Sequence, residues 1–165
     1  MRKLVSLFLG ITAMLAATAA FAADVKVTGI HNCCPGCANT IQTTLKDAGA
    51  TNIVLEKTDL SFSADDAQKA VTALCEAGFA GKLSEGVKRP ASGAGQKAGK
   101  EIKLEKVHNC CGACTKAIND AVKDIGKTDA KAKASSFTVS SENEVQARAV
   151  VAALRKAGFN AHVAE

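Results

Sequence analysis

Val25-Lys26-Val27-Thr28-Gly29-Ile30-His31-Asn32-Cys33-Cys34-Pro35-Gly36-Cys37 returns 77 residues later as Ile102-Lys103-Leu104-Glu105-Lys106-Val107-His108-Asn109-Cys110-Cys111-Gly112-Ala113-Cys114. The same offset carries Ile41 onto Ile118, Leu45 onto Val122, Asp47 onto Asp124 and Gly49 onto Gly126. Small gaps then shift the register, which recovers where Ala77-Gly78-Phe79 meets Ala157-Gly158-Phe159. Chance does not place His-Asn-Cys-Cys-x-x-Cys twice in matching flanks, so the chain is a tandem duplication of a unit of about 63 residues.

Each copy reads as an alternation of short strands and amphipathic helices. Val25, Val27 and Ile30 suggest a strand with one buried face. Ala38, Ile41, Leu45 and Ala48 recur at helical spacing, and Gly49 ends the run. Ile53 and Leu55 alternate with polar residues, Thr58-Asp59 forms a turn, and Leu60 to Phe62 makes a third strand. Ser63-Ala64-Asp65-Asp66 supplies helix-start chemistry, and Ala67, Ala70, Val71, Leu74 and Ala77 give a second helical stripe closed by Gly78. Phe79 to Leu83 is expected as the last strand. The order βαββαβ is the ferredoxin-like split motif, so the fold class expected is α+β, two tandem ferredoxin-like sandwiches. In the second copy, Phe137 and Val139 mark a convincing third strand. Thr128 to Lys133 has poor β-propensity and reads as an exposed edge.

Outside the repeats, the first residues have the layout of an export signal. Arg2 and Lys3 precede an apolar run from Leu4 to Leu15, and Ala20-Phe21-Ala22 offers small residues at a cleavage site. Residues 1–22 are therefore expected as a signal peptide, and cleavage after Ala22 leaves 143 of the 165 residues. Cys33 lies too far downstream to be the lipid-modified residue of a lipoprotein. No other stretch is apolar enough to span a bilayer, so an exported protein, periplasmic or extracellular and without membrane insertion after cleavage, is expected. Residues 23–85 and 101–165 form the two domains, and 86–100 reads as a flexible basic linker. That linker contains Pro90, Gly86, Gly93, Gly95 and Gly99, with four basic residues and no acidic one. A flexible chain of this length spans roughly 20 Å, enough to let the two Cys-rich loops approach each other and share an ion. The basic excess is concentrated there. With Trp and Tyr absent, few rings exist for base stacking, so no nucleic-acid partner is expected.

The chemistry is in the cysteines. Cys34/Cys37 and Cys111/Cys114 are Cys-x-x-Cys pairs at a loop-to-helix junction, where partial positive charge and free N–H groups favour the thiolate. Pro35 suits a first helical turn. Thiolate pairs take soft ions, Cu(I) foremost, then Hg(II), Zn(II) or Cd(II). Two sulfurs suffice for a linear Cu(I) or Hg(II) site. A third or fourth ligand from Cys33 or His31, and from Cys110 or His108 in the second copy, moves the preference toward Zn(II). His31 and His108 read either as ligands or supporting groups, or as strand-end polarity. Cys33 and Cys110 read as reserve ligands, as resolving thiols, or as pointing away.

On these residues each copy resembles the heavy-metal-associated domain, a family of small copper chaperones, N-terminal repeats of copper-transporting ATPases and periplasmic mercury-binding proteins. The likeness covers nearly all of both units. The family's Cys-x-x-Cys matches Cys34/Cys37 and Cys111/Cys114, and its Gly-(Tyr or Phe) before the last strand matches Gly78-Phe79 and Gly158-Phe159. The family's Gly-Met step is replaced by Gly29-Ile30 and by Lys106-Val107. The loop is two residues longer, and it has admitted a His and a third Cys in both copies. The resemblance implies metal transport, handover or sequestration, with a metal-transporting membrane protein or another metal carrier as partner.

The competing reading is thiol–disulfide or redox-sensing chemistry by the same cysteines, since exported thiol pairs meet an oxidising compartment. Against it, the element order is not that of thioredoxin, and Pro35 and Pro90 are the only prolines. Purely structural disulfides are disfavoured because three cysteines within five positions close only tiny loops. No Ser-His-Asp layout and no phosphate-binding Gly loop is present, so no enzyme is expected. Cys75 has Arg155 as its counterpart, which suggests a surface position for this odd seventh cysteine. His162, matching Lys82, is also expected at the surface. Phe79 and Phe159 are expected as core residues near the site.

Overall fold

The computed structural model describes residues 22–164. The export signal expected over residues 1–22 thus lies, except for Ala22, outside the described residues. The first half runs β1 (Ala23–Thr28), α1 (Pro35–Asp47), β2 (Thr51–Glu56), β3 (Asp59–Ala64), α2 (Ala67–Glu76) and β4 (Lys82–Leu83). The second runs β5 (Ala98–Glu105), α3 (Gly112–Val122), β6 (Lys127–Thr128), β7 (Phe137–Gln146), α4 (Ala147–Lys156) and β8 (His162–Val163). Each half is α+β, an antiparallel four-stranded sheet packed with two helices. The strand orders β2-β3-β1-β4 and β6-β7-β5-β8 repeat each other.

Local chemistry accounts for the elements. Val25 and Val27 point inward from β1 while their neighbours are exposed. Pro35, with its fixed φ and missing N–H, occupies the first turn of α1, and Cys37, Ile41 and Leu45 form its buried stripe. Gly49 at φ +89° turns the chain out of α1, and the Ala50 N–H closes onto the Leu45 carbonyl at 2.9 Å. Asp66 caps α2 by accepting from the Lys69 N–H at 2.8 Å. α4 has no side-chain cap. There β7 continues straight into the helix, and Arg155 and Lys156 sit favourably in its last turn.

Of the second strand expected over Thr128 to Lys133 in the second copy, only Thr128 is in a strand; residues 129–133 are turn and loop, in keeping with their poor β-propensity. β6 pairs only Lys127 and Thr128 with β7, at the sheet edge. The expected strand from Phe79 to Leu83 is cut to Lys82–Leu83. Its first half is diverted: Phe79 pairs instead with Phe159 across the two halves. Around that pair the Gly78 carbonyl accepts from Asn160 at 2.9 Å and from His108 at 3.5 Å. The Gly158 carbonyl accepts from Ala80 at 2.9 Å and from His31 at 3.3 Å. A small antiparallel ladder with pseudo-twofold symmetry thus joins the copies.

Two surface expectations are overturned by this docking. Cys75 is buried, 2% exposed, because α2 packs toward the second half: the Asn160 Nδ2 donates to the Cys75 carbonyl at 2.9 Å. His162 is mostly covered, and its Nε2 lies 3.1 Å from Glu76 Oε1. Glu76 also pairs with Lys106 at 2.5 Å, so one first-half carboxylate lies beside two second-half side chains. The connecting segment has no regular structure between Leu83 and Ala98, yet it is tied to both halves. Lys88 exchanges two hydrogen bonds with the Gln68 side chain. Arg89 donates to the Gly81 carbonyl. Further on, the Ser92 carbonyl accepts from Val163 at 2.7 Å, and Ala94 is buried.

Candidate metal centre

The two docked copies place their loops against each other, and six sulfurs meet there. Within the first half, Cys34 and Cys33 lie 3.6 and 3.8 Å from Cys37. Within the second, Cys111 and Cys110 lie 3.8 and 3.6 Å from Cys114. Four further contacts cross between halves around the central pair: Cys34 to Cys110 at 3.4 Å, Cys37 to Cys110 at 3.7 Å, Cys33 to Cys114 at 3.6 Å and Cys33 to Cys111 at 3.9 Å. The centre of the constellation is the buried pair Cys37 and Cys114, 3.8 Å apart. Cys34, Cys110 and Cys111 are half-buried and Cys33 is exposed, so one side of the cluster faces solvent. All seven cysteines are free thiols.

The imidazoles stand behind the sulfurs, each gripped by the other copy. His31 stacks on Phe159 at 4.1 Å between ring centroids, and His108 stacks on Phe79 at 4.2 Å. Both phenylalanines are fully buried, as expected of core residues beside the site. A ring nitrogen of His31 lies within 4.8 Å of the Cys33, Cys37 and Cys114 sulfurs, and one of His108 within 4.8 Å of Cys37, Cys110 and Cys114. Cys33, Cys34 and Cys111 form a third such group on the outer side. The Nε2 atoms of both histidines are buried with no hydrogen-bond partner among the described residues. An orphaned buried nitrogen costs free energy unless a hydrogen-bond partner or a metal ion meets it.

Electrostatics divide the thiols by position. Cys34 is lowered to about 6 by the Cys37 N–H and then by the Cys110 thiol, the effect of sitting at the start of α1. Cys111 is lowered for the same reason, first by the Cys114 N–H at the start of α3. Burial, followed by neighbouring thiols, pushes Cys33 and Cys110 up, and burial does the same for Cys37. Burial also lowers His31 and His108, with His108 adding to the effect on His31. Neutral imidazole is the form that coordinates metal.

The eight residues singled out by sequence, His31, Cys33, Cys34, Cys37, His108, Cys110, Cys111 and Cys114, therefore lie at one place rather than two. Several supporting residues are new. Asn109 is buried, donates to the Lys131 carbonyl at 2.7 Å and accepts from Thr115 at 2.9 Å. Asn32 donates to the Lys57 carbonyl at 2.8 Å. These two asparagines pin the Cys-rich loops, and their recurrence in both copies was the available signal. Gly78 and Gly158 do more than end helices. A Cβ on Gly78 would lie 2.1 Å from the backbone nitrogen of His108, and one on Gly158 2.3 Å from the backbone nitrogen of His31.

No known family model, curated protein or solved structure matches this chain. Among the described residues no helix is long and apolar enough to cross a membrane.

Proposed function

We propose that this chain is an exported soft-metal-ion binding protein, two ferredoxin-like units of the heavy-metal-associated kind acting in metal transport, handover or sequestration. The observation that carries the reading is the convergence of six cysteine sulfurs and two histidine ring nitrogens from both copies on one centre. Thiolate-rich donors favour Cu(I), while three sulfurs and an imidazole also suit Zn(II). The solvent-facing sulfurs leave a route for exchange with a metal-transporting membrane protein or another carrier. We read the protein as a binder and not an enzyme. The test is a titration of the reduced, mature chain with Cu(I), Zn(II) and Hg(II) against a strong competing chelator. Retention of metal with loss on replacing Cys37 and Cys114 together supports the reading; no retained metal overturns it.

One observation favours a redox alternative. Cys34, lowered to about 6, lies 3.4 Å from Cys110, a low-pKa thiol beside a resolving thiol. On that reading a mild oxidant gives a Cys34–Cys110 disulfide linking the halves, and the fully reduced chain fails to hold metal against the chelator.

A further inference from the structure

The sulfur distances say how many ions the centre is shaped for. Four equivalent ligands at a metal–sulfur bond of about 2.3 Å stand about 3.8 Å apart along each edge of the tetrahedron. The triangle Cys33, Cys37, Cys114 has edges of 3.8, 3.6 and 3.8 Å. The triangle Cys110, Cys37, Cys114 has edges of 3.7, 3.6 and 3.8 Å. The two triangles share the Cys37–Cys114 edge, and each has its own histidine completing a four-ligand group: His31 for the first, His108 for the second. Cys33 and Cys110 fall in different groups, so a single ion cannot take both sets.

The geometry points to a two-ion centre. One ion is held by His31, Cys33, Cys37 and Cys114, the other by His108, Cys110, Cys37 and Cys114, and the sulfurs of Cys37 and Cys114 bridge the two. The proposal rests on the soft-metal reading above and refines it, since it assigns nuclearity and separates bridging from terminal sulfurs. Four thiolates neutralise two divalent ions, and each thiol surrenders its proton to solvent on binding. Cys37 and Cys114 suit the bridging role because they are the two fully buried sulfurs of the cluster, each in contact with both terminal ones. Cys34 and Cys111 are left outside both four-ligand sets, since the group they form with Cys33 contains no histidine.

This arrangement differs from two independent Cys-x-x-Cys sites in a way that ion counting alone does not reveal. In independent sites, Cys37→Ser damages the first ion and spares the second. In the bridged centre, Cys37→Ser weakens both ions, by roughly tenfold or more each, because loss of even a supporting residue costs ten- to hundredfold. Cys33→Ser weakens chiefly one ion, and Cys110→Ser chiefly the other. The experiment is a competition titration of the reduced chain with Cd(II) as the probe, on the native sequence and these three variants, with circular dichroism to check folding. A direct readout needing no variant is cadmium-113 magnetic resonance of the native chain. Shared thiolates give two cadmium signals coupled to each other. Two coupled signals, with both ions weakened in Cys37→Ser, support the proposal. Two uncoupled signals, or an unaffected second ion in Cys37→Ser, overturn it in favour of independent sites. One ion per chain overturns the two-ion assignment and leaves the soft-metal function standing. No bound Cd(II) overturns both.

Discussion

Gly78→Ala tests whether the halves dock as described, and Gly49→Ala supplies its control. Both glycines close a helix at φ +89°, a conformation that costs a residue with a Cβ about 1–2 kcal/mol. They differ in surroundings. A Cβ on Gly49 has nothing within 4 Å, whereas one on Gly78 lies 2.1 Å from the His108 nitrogen, 2.7 Å from the Val107 carbonyl carbon and 2.9 Å from the Lys106 oxygen. All three are backbone atoms, so no side-chain rotation relieves the overlap. The second-half loop must withdraw by about 1 Å or more to reach ordinary contact distance. That movement breaks the cross-copy bonds of Asn160 to Gly78 and Ala80 to Gly158, each 2.9 Å, and the longer pair from His31 and His108. At about 1 kcal/mol net for each, the four bonds add about 4 kcal/mol to the strain. Gly49→Ala should therefore lose about 1 kcal/mol in a urea melt and keep the native radius of gyration, about 15 Å for a compact body of the described length. Gly78→Ala should lose several times that stability, or expand measurably in small-angle scattering, and should bind metal more weakly. If the two variants prove alike in stability, radius and metal affinity, the docking and the shared centre built on it are refuted.

Three other outcomes follow from the same interface. Asn160 is fully buried and joins the Cys75 carbonyl to the Arg155 Nε. Asn160→Ala leaves buried partners unmatched and should destabilise the chain by about 1–3 kcal/mol in urea melts; a neutral effect would count against that burial. Glu76→Gln removes the ion pair with Lys106, whose pKa the Glu76 carboxylate raises. Its urea midpoint should fall below the native one at low salt, and the difference should shrink at about 1 M salt, where screening reaches within about 3 Å. Burial holds the Cys75 thiol above its ordinary pKa, so it should keep its proton as pH rises through the range where an unfolded cysteine ionises, about 8.5. Alkylation of Cys75 in the folded chain should stay slow up to about pH 9, and become fast in urea; mass spectrometry of the modified peptides reads both.

The chain made its elements legible through periodicity and its centre through cysteine spacing, both of which act over short stretches. Val25 and Val27 alternate, Ile41 and Leu45 fall one turn apart, and His-Asn-Cys-Cys-x-x-Cys announces a metal-type loop twice. The docking of the copies escaped because each residue that makes it had a sufficient local explanation. Gly78 already served as a helix stop, and Phe79 already read as the start of a strand. The clue lay where the copies differ. A pseudo-twofold interface sets equivalent neighbourhoods face to face, so unchanged repeats would oppose like with like. Glu76 has become Lys156 in the second copy, Ala80 has become Asn160, and Cys75 has become Arg155. Gly29, at φ +76°, has become Lys106 at φ +56°, where a strained backbone is accepted beside the ion pair with Glu76. Divergence at those positions also made Cys75 and His162 look like surface residues, since a position that tolerates Arg or Lys in one copy reads as exposed in the other.

The segment that ties Lys88 to the first half and Ser92 to the second has a consequence for dilution. A single unit of this kind would need to meet another molecule before its loop had a partner, and the fraction assembled would fall with protein concentration. A short tether makes that meeting intramolecular, with an effective concentration that reaches the millimolar range. Assembly of the centre then proceeds at a rate set by the chain itself and stays complete however thinly the protein is spread. That independence keeps the cluster of cysteines and histidines whole at abundances where a dimer would have come apart.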